Sequence, residues 1–260
     1  MIREVKGKKV HFLDEGKGFP VILLHGFLES VFIWKSLAAQ LSRHYRVIQI
    51  DLPGHGGSDC LSSNITIDHM ADIVIELSRM LAIEKAHILG HSMGGYVGLA
   101  ILEKDPERVK QLILLHSKAG ADSIEGKQKR ELGMEMLRQH PTMFVKESLT
   151  NLFWKENLSR FKRELEALIA EAVQSPGIGY IEALQAMRDR PDRRHMLGQF
   201  ENIISIAGLH DPVIPYDVSL EEKEMLRSKT FESLENSGHM GFIEEKNKCE
   251  KIISNYLKMV

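Results

Sequence analysis

Apolar residues follow two rhythms along this chain. Short continuous runs recur at Val21-Ile22-Leu23-Leu24, Val47-Ile48-Gln49-Ile50, His87-Ile88-Leu89, Leu112-Ile113-Leu114-Leu115 and Ile203-Ile204-Ser205-Ile206-Ala207. Between them, apolar positions fall at helical spacing. Phe32, Trp34, Leu37, Ala38 and Leu41 make one such set, and Ile67, Met70, Ala71, Val74, Leu77 and Leu81 a second. Cys249, Ile252, Ile253, Tyr256 and Leu257 make a third, near the C-terminus. Runs without polar alternation predict strands covered on both faces. Strands alternating with helices predict βαβ units and a mainly parallel sheet. The start differs: Ile2 to Lys6, Gly7, then Lys8 to Leu13 predicts an antiparallel hairpin at the sheet edge.

The alternation stops between about Lys118 and Arg190. No strand run occurs there, and Phe161, Leu165, Leu168, Ile169 and Ala172 show helical spacing instead. A structureless loop of that length is foreign to a compact domain. The stretch is therefore expected to be a helical insertion over the sheet, dividing the chain into 1–117, 118–190 and 191–260. No internal repeat is visible.

Composition narrows the function classes. A length of 260 residues suits one large domain, or one domain with an insertion. With 43 % hydrophobic and 27 % charged residues, disordered and low-complexity classes are excluded. A net charge of -2 offers no basic face for nucleic acid and no argument for an anionic membrane. The first residues lack the apolar stretch of a signal peptide, and no apolar run approaches a bilayer span. A soluble, cytoplasmic protein is expected. Two cysteines, Cys60 and Cys249, exclude a disulfide framework and leave a single bridge open.

The strongest chemical signal is Gly90-His91-Ser92-Met93-Gly94-Gly95, which follows one apolar run and precedes a helical stretch. Strand, tight turn and helix are the setting that a G-x-S-x-G nucleophile needs. The turn strains the Ser92 backbone and tolerates no bulky neighbours, which Gly90 and Gly94 avoid. The amide of Met93 then points to where an oxyanion forms. The plain alternative is a glycine-rich turn with an incidental serine.

A serine hydroxyl needs a base. His239, in Ser237-Gly238-His239-Met240, follows the strand-like stretch Lys229 to Leu234 and is the candidate among twelve histidines. The histidine in turn needs a carboxylate to fix its tautomer. Asp211, in His210-Asp211-Pro212, follows Ile203 to Ala207 and so sits at the ligand-binding end of a strand. A turn aspartate before proline is its structural alternative, with Asp217 and Asp122 as weaker competitors for the role. In His25-Gly26-Phe27, the Phe27 amide is a second oxyanion donor, and His25 is expected to hold the loop's shape. Gly54-His55-Gly56-Gly57 is not a dinucleotide fingerprint, no phosphate loop occurs, and no paired metal spacing appears, so neither cofactor nor catalytic metal is expected. Arg188, Arg190, Arg193 and Arg194, interleaved with Asp189 and Asp192, read as a solvated, self-paired surface.

Together, His25 to Phe27, Asp51 to Asp59, Gly90 to Gly95, Gly208 to Pro215 and Gly238-His239 resemble the α/β-hydrolase superfamily. More narrowly, the chain is similar to its small bacterial serine esterases with a helical cap. The resemblance covers nearly the whole chain. It implies an α/β fold, a mainly parallel doubly wound sheet of the α/β-hydrolase type with an inserted cap after the strand Gln111 to Leu115. It also implies that Asp51 to Asp59 is a structural loop near the site. Serine at position 92, rather than aspartate, argues against dehalogenases and epoxide hydrolases.

The expected chemistry is two-step hydrolysis of a small carboxylic ester through Ser92, His239 and Asp211, slowing in mildly acid solution because the base must be neutral. Thioester hydrolysis, carbon–carbon hydrolysis and peracid formation on the same triad remain open, as does a receptor-like binding protein of the same fold. The substrate is expected between cap and core, against Phe27, Phe32, Trp34, Met93, Met134, Phe144, Phe153, Trp154 and Met240. The expected partner is that small molecule, without nucleic acid or membrane, and a homodimer is left open.

Overall fold

The computed structural model describes residues 1–61, 65–175 and 177–258. The strands are β1 (Ile2–Val5), β2 (Lys8–Glu15), β3 (Pro20–Leu24), β4 (Arg46–Ile50), β5 (Ala86–His91), β6 (Val109–Leu115), β7 (Ile203–Gly208) and β8 (Phe231–Leu234). The core helices are α1 (Lys35–Leu41), α2 (Ile67–Met80) and α3 (Met93–Lys104). Between β6 and β7 come α4 (Ile124–Gln139), α5 (Pro141–Thr150), α6 (Lys162–Ala172), α7 (Gly177–Arg188) and α8 (His195–Gln199). The chain closes with α9 (Tyr216–Met225), α10 (Gly241–Glu244) and α11 (Lys246–Lys258).

Among the described residues the strands form one eight-stranded sheet in the order β1-β2-β4-β3-β5-β6-β7-β8. β1 and β2 form the antiparallel edge hairpin, and β2 runs antiparallel to β4. From β3 through β8 all pairings are parallel. The continuous apolar runs are these parallel strands, and every residue of β5 is buried. α2 turns its apolar stripe, Ile67, Met70, Ala71, Val74 and Leu77, into the core. Its first turn is closed by a capping box, with Thr66 Oγ1 accepting from the His69 amide at 3.1 Å.

Strand order sets the position of the site. The chain leaves β3 toward β4 on one side, then returns across β3 to reach β5 on the other. Right-handed crossovers running in opposite directions place their helices on opposite faces. Accordingly α1 lies with α11, joined by Ser36–Glu250 and Gln40–Ser254 hydrogen bonds, while α2 packs on α3. The loops after β3 and β5 therefore part at a topological switch, where ligands enter such sheets.

The 118–190 stretch carries α4 to α7, with α4 packed on α7. The basic cluster at its end corrects the sequence reading. Arg188 and Arg194 are paired with Asp189 and Asp192 near the surface, but Arg190 and Arg193 are buried. Arg190 reaches Asp122 at 2.9 Å, donates to the carbonyls of Met187 and Gly120, and lies 4.0 Å over the Tyr96 ring. Arg193 joins Glu103 on α3 to Asp68 on α2. A guanidinium with several fixed acceptors can be buried where a lone charge cannot, and spacing alone does not distinguish the two. Both cysteines are free thiols. Among the described residues no helix is long and apolar enough to cross a membrane.

Candidate active site

Ser92 sits between β5 and α3 with φ 48° and ψ -112°, a backbone conformation that costs an L-residue energy. The turn is held from outside. The Ser92 amide donates to the Leu115 carbonyl at 3.0 Å, and Ser117 Oγ donates to the Ser92 carbonyl at 2.8 Å. Neither Gly90 nor Gly94 has positive φ. What the turn demands of them is space: a side chain on Gly94 would strike the Leu24 carbonyl of β3, and one on Gly90 would strike the Gly94 backbone. Met93 opens α3, so its amide is one of the unpaired donors at a helix start. The amide of Phe27 likewise has no acceptor among the described residues.

His239 lies in the loop between β8 and α10 and is 1 % exposed. Its Nδ1 is 2.7 Å from Oδ2 of Asp211. Asp211 follows β7, and its Oδ1 accepts from the amides of Val213 at 2.8 Å and Ile214 at 2.9 Å. Burial raises the pKa of this carboxyl, but the charge of His239, the nearby His116 imidazole and the hydrogen bond from His239 outweigh it and hold it far below the usual range. Asp217 lies on exposed backbone at the start of α9 and accepts only from Val218. Asp122 is taken up by Arg190 and Arg130.

Ser92 and His239 line one cavity of about 950 Å³. Its wall includes Phe27 and Phe144, whose rings meet edge to face at 6.4 Å, together with Leu184, Met187 and residues of α9. Lys118 also faces it, with a pKa lowered first by burial and then by Arg190.

Several residues expected at the substrate lie elsewhere. Trp34 is fully buried against Phe242, ring centres 5.4 Å apart. Phe32, its neighbour on the same short turn, points outward and is 42 % exposed. Phe153, Met134 and Met240 are core residues, and the Met93 side chain is buried as well. Trp154 stacks flat on His210, 3.9 Å between centres. None of these side chains lines the cavity. Large apolar residues beside a site are recruited by the core as readily as by the pocket.

Sequence reasoning missed the shell behind these residues. Glu29, His91, His116 and Glu244 are all buried. Glu244 Oε2 accepts from the Gly238 amide at 2.9 Å and its Oε1 from the Trp154 amide at 3.0 Å, tying the His239 loop to the helical stretch between β6 and β7. His116 accepts from the Gly241 amide through Nε2, so its proton sits on Nδ1, 3.5 Å from Asp211 Oδ2. Burial is the first cause that brings its pKa down to about 4. His116, Asp211 and His239 form the one group among the described residues whose donor atoms could converge on an ion. Of these contacts only His239 to Asp211 is a hydrogen bond; the His116 Nδ1 atom makes none among the described residues. Two of them stood beside a motif: His91 lies within Gly90 to Gly95, and Glu29 comes three residues after Gly26.

His25 holds its loop, donating from Nδ1 to the Gly26 carbonyl at 2.7 Å and accepting the Leu52 amide on Nε2 at 2.9 Å. Asp51 gathers its own loop, accepting from Val31 and Gly57 amides and from His11.

A sheet with its serine turn, acid and histidine at strand ends defines a hydrolase-type architecture. A family model described as alpha/beta hydrolase fold matches residues 20–246, and the chain belongs to that family. Over 219 residues it is 32 % identical to the dihydrolipoyllysine-residue acetyltransferase component of an acetoin cleaving system from Pseudomonas putida, covering 82 % of this chain and 58 % of that protein. The chain thus spans under two thirds of that relative. It is 26 % identical to an Escherichia coli 2-hydroxy-6-oxononadienedioate/2-hydroxy-6-oxononatrienedioate hydrolase, covering 97 % of this chain and 92 % of that one. Among solved structures, a thermophilic esterase from Thermogutta terrifontis superposes with a TM-score of 0.93 at 26 % identity, covering 99 % of this chain and 97 % of that one.

Proposed function

We propose that this hydrolase-family chain cleaves small carboxylic esters by two-step acyl transfer. Ser92 is the nucleophile, His239 the general base and acid, and Asp211 the carboxylate that fixes the imidazole. One arrangement carries the reading: the strained Ser92 and the Asp211-bonded His239 stand on the wall of a single cavity. His239 takes the hydroxyl proton as Ser92 Oγ attacks the ester carbonyl, then delivers it to the leaving alcohol. Water repeats the sequence on the acyl-enzyme. The amides of Phe27 and Met93 receive the oxyanion, a donor of this kind being worth about 3–4 kcal/mol. The insertion at 118–190 serves as a cap, and Phe144 on α5 supplies an apolar wall for the acyl or alcohol group.

The test is a serine-reactive phosphonate followed by peptide mapping, alongside a panel of aryl esters of varied acyl length and acid charge. Stoichiometric labelling at Ser92 with ester turnover supports the reading, whereas an unlabelled and inactive protein favours a ligand-binding role. A second reading, carbon–carbon hydrolysis by the same residues, draws on the near full-length match to the Escherichia coli hydrolase. Turnover of a ring-cleavage dienedioate above that of every ester would select it.

A further inference from the structure

Glu29 and His91 are completely buried, and no step above uses them. They nevertheless touch three of the four segments that bear the proposed chemistry: the Phe27 loop, the Ser92 turn and the His239 loop. Glu29 Oε2 accepts from the Gly26 amide at 2.5 Å, inside the loop that carries Phe27. The same oxygen is 2.9 Å from His91 Nδ1, and His91 is the residue before Ser92. His91 Nε2 is 2.9 Å from the main-chain oxygen of His239. A Cβ on Gly26 would stand 2.7 Å from Glu29 Oε2 and 2.8 Å from His91 Nδ1, so the absence of a side chain there is what lets the pair approach.

Proton positions follow from the acceptors. A main-chain carbonyl can only accept, so Nε2 of His91 carries a proton. Nδ1 faces an oxygen that already takes the Gly26 amide. Burial opposes charge on both side chains, but the carboxylate of Glu29 raises the pKa of His91 and the imidazole lowers that of Glu29. The rings of His116, His239 and Phe242 surround His91, at 6.0, 5.0 and 4.9 Å, with Asp211 beyond.

We propose that Glu29 and His91 are positioning residues, a buried ion pair in which a doubly protonated imidazole donates to both the oxyanion loop's carboxylate and the His239 backbone, setting the base and the oxyanion donors in register with Ser92. Against an ionised Glu29, which can only accept, a neutral imidazole has one N–H and can hold only one of those two links. Removing the carboxylate should therefore release one loop. Because the proposal rests on Ser92 and His239 acting as described, its test must separate the two.

Three proteins are compared with wild type: Ser92→Ala, Glu29→Gln and His91→Gln. Labelling by an aryl phosphonate is measured per folded molecule, with kcat and KM for an aryl ester, and thermal melting reports folding. The expected result is Ser92-dependent labelling in wild type, and a fall of roughly 100-fold in labelling rate and kcat for Glu29→Gln and His91→Gln with KM little changed, the scale expected for small misplacement of reacting groups. In wild type, ¹⁵N NMR at pH 8 should show both His91 ring nitrogens protonated, a readout that needs no variant to fold. An ordinary labelling rate and kcat in the variants, with only the melting temperature lowered, overturns positioning and leaves Ser92 and His239 standing. A singly protonated His91 ring overturns the ion pair. Wild type that is not labelled at Ser92 overturns the functional reading and this proposal with it.

Discussion

His116 and His239 face the same oxygen of Asp211, their Nδ1 atoms 3.5 and 2.7 Å from Oδ2. With the Val213 and Ile214 amides on its other oxygen, this carboxylate is held by three hydrogen bonds, with the His116 ring beside them, and its place behind His239 is set by the protein alone.

Removing that carboxylate's charge while keeping its shape should cost activity and little else. Asp211→Asn is expected to lower kcat for an aryl ester roughly 10,000-fold by presenting the wrong imidazole tautomer. Ser92→Ala should lower it by at least as much. Steady-state kinetics on both variants check this, and Ser92→Ala within tenfold of wild type would remove the serine from its role.

Stability should fall on acidification. Burial is the first cause holding His55 at about 3 and His116 at about 4, against 6.5 for an ordinary histidine. Between those values and 6.5 the unfolded chain binds protons that the folded chain does not, so unfolding becomes easier as pH falls, by about 1.4 kcal/mol per unit per group. His91 has the opposite sign: its stabilisation is fully present below 6.5 and is lost as pH rises through its raised folded pKa. Urea midpoints at pH 7 and pH 5 read the difference, and the midpoint at pH 5 should be the lower. Equal midpoints would contradict neutral buried imidazoles.

Two arginines four residues apart should differ sharply. Arg190→Ala leaves two buried carbonyls without their donor and Asp122 with Arg130 and Lys118 alone, and is expected to cost about 3 kcal/mol. Arg194→Ala breaks a pair whose arginine is half exposed, and should change stability by less than about 1 kcal/mol. Denaturant unfolding of both variants decides it, and similar losses would be inconsistent with the burial difference.

Substrate preference should respond to Phe144 and not to Trp154. Phe144 faces the cavity, so Phe144→Ala should shift the ester chain-length profile toward bulkier acyl groups. Trp154 is spent on His210, so Trp154→Ala should lower the melting temperature and leave the profile unchanged. A profile that moves with Trp154 would return that residue to the pocket.

The sheet was legible because its strands are buried on both sides, which leaves unbroken apolar runs such as Ile22 to Leu24 and Leu112 to Leu115. Gly90 to Gly95 was legible because steric demand near a strained turn admits few residue types. The Asp211–His239 contact could be expected only from strand-end placement and chain order. The pocket was not legible: Trp34, Phe153 and Met240 carry the same apolar signal as Phe27 and Phe144, and only packing decided which face water or ligand. The Glu29–His91 link was hidden for a similar reason: the two residues lie far apart in sequence, and although His91 sits inside the serine motif, nothing in the motif says what its ring meets.

The sequence by itself determined the alternation of strand and helix and the tight turn at Ser92, because periodicity and backbone sterics act over a few residues. Tertiary structure alone decided which aromatic rings line the cavity, which arginines are buried, and which buried charges bind the loops together. Those outcomes depend on burial and on partners from distant segments, and neither is encoded at any single position.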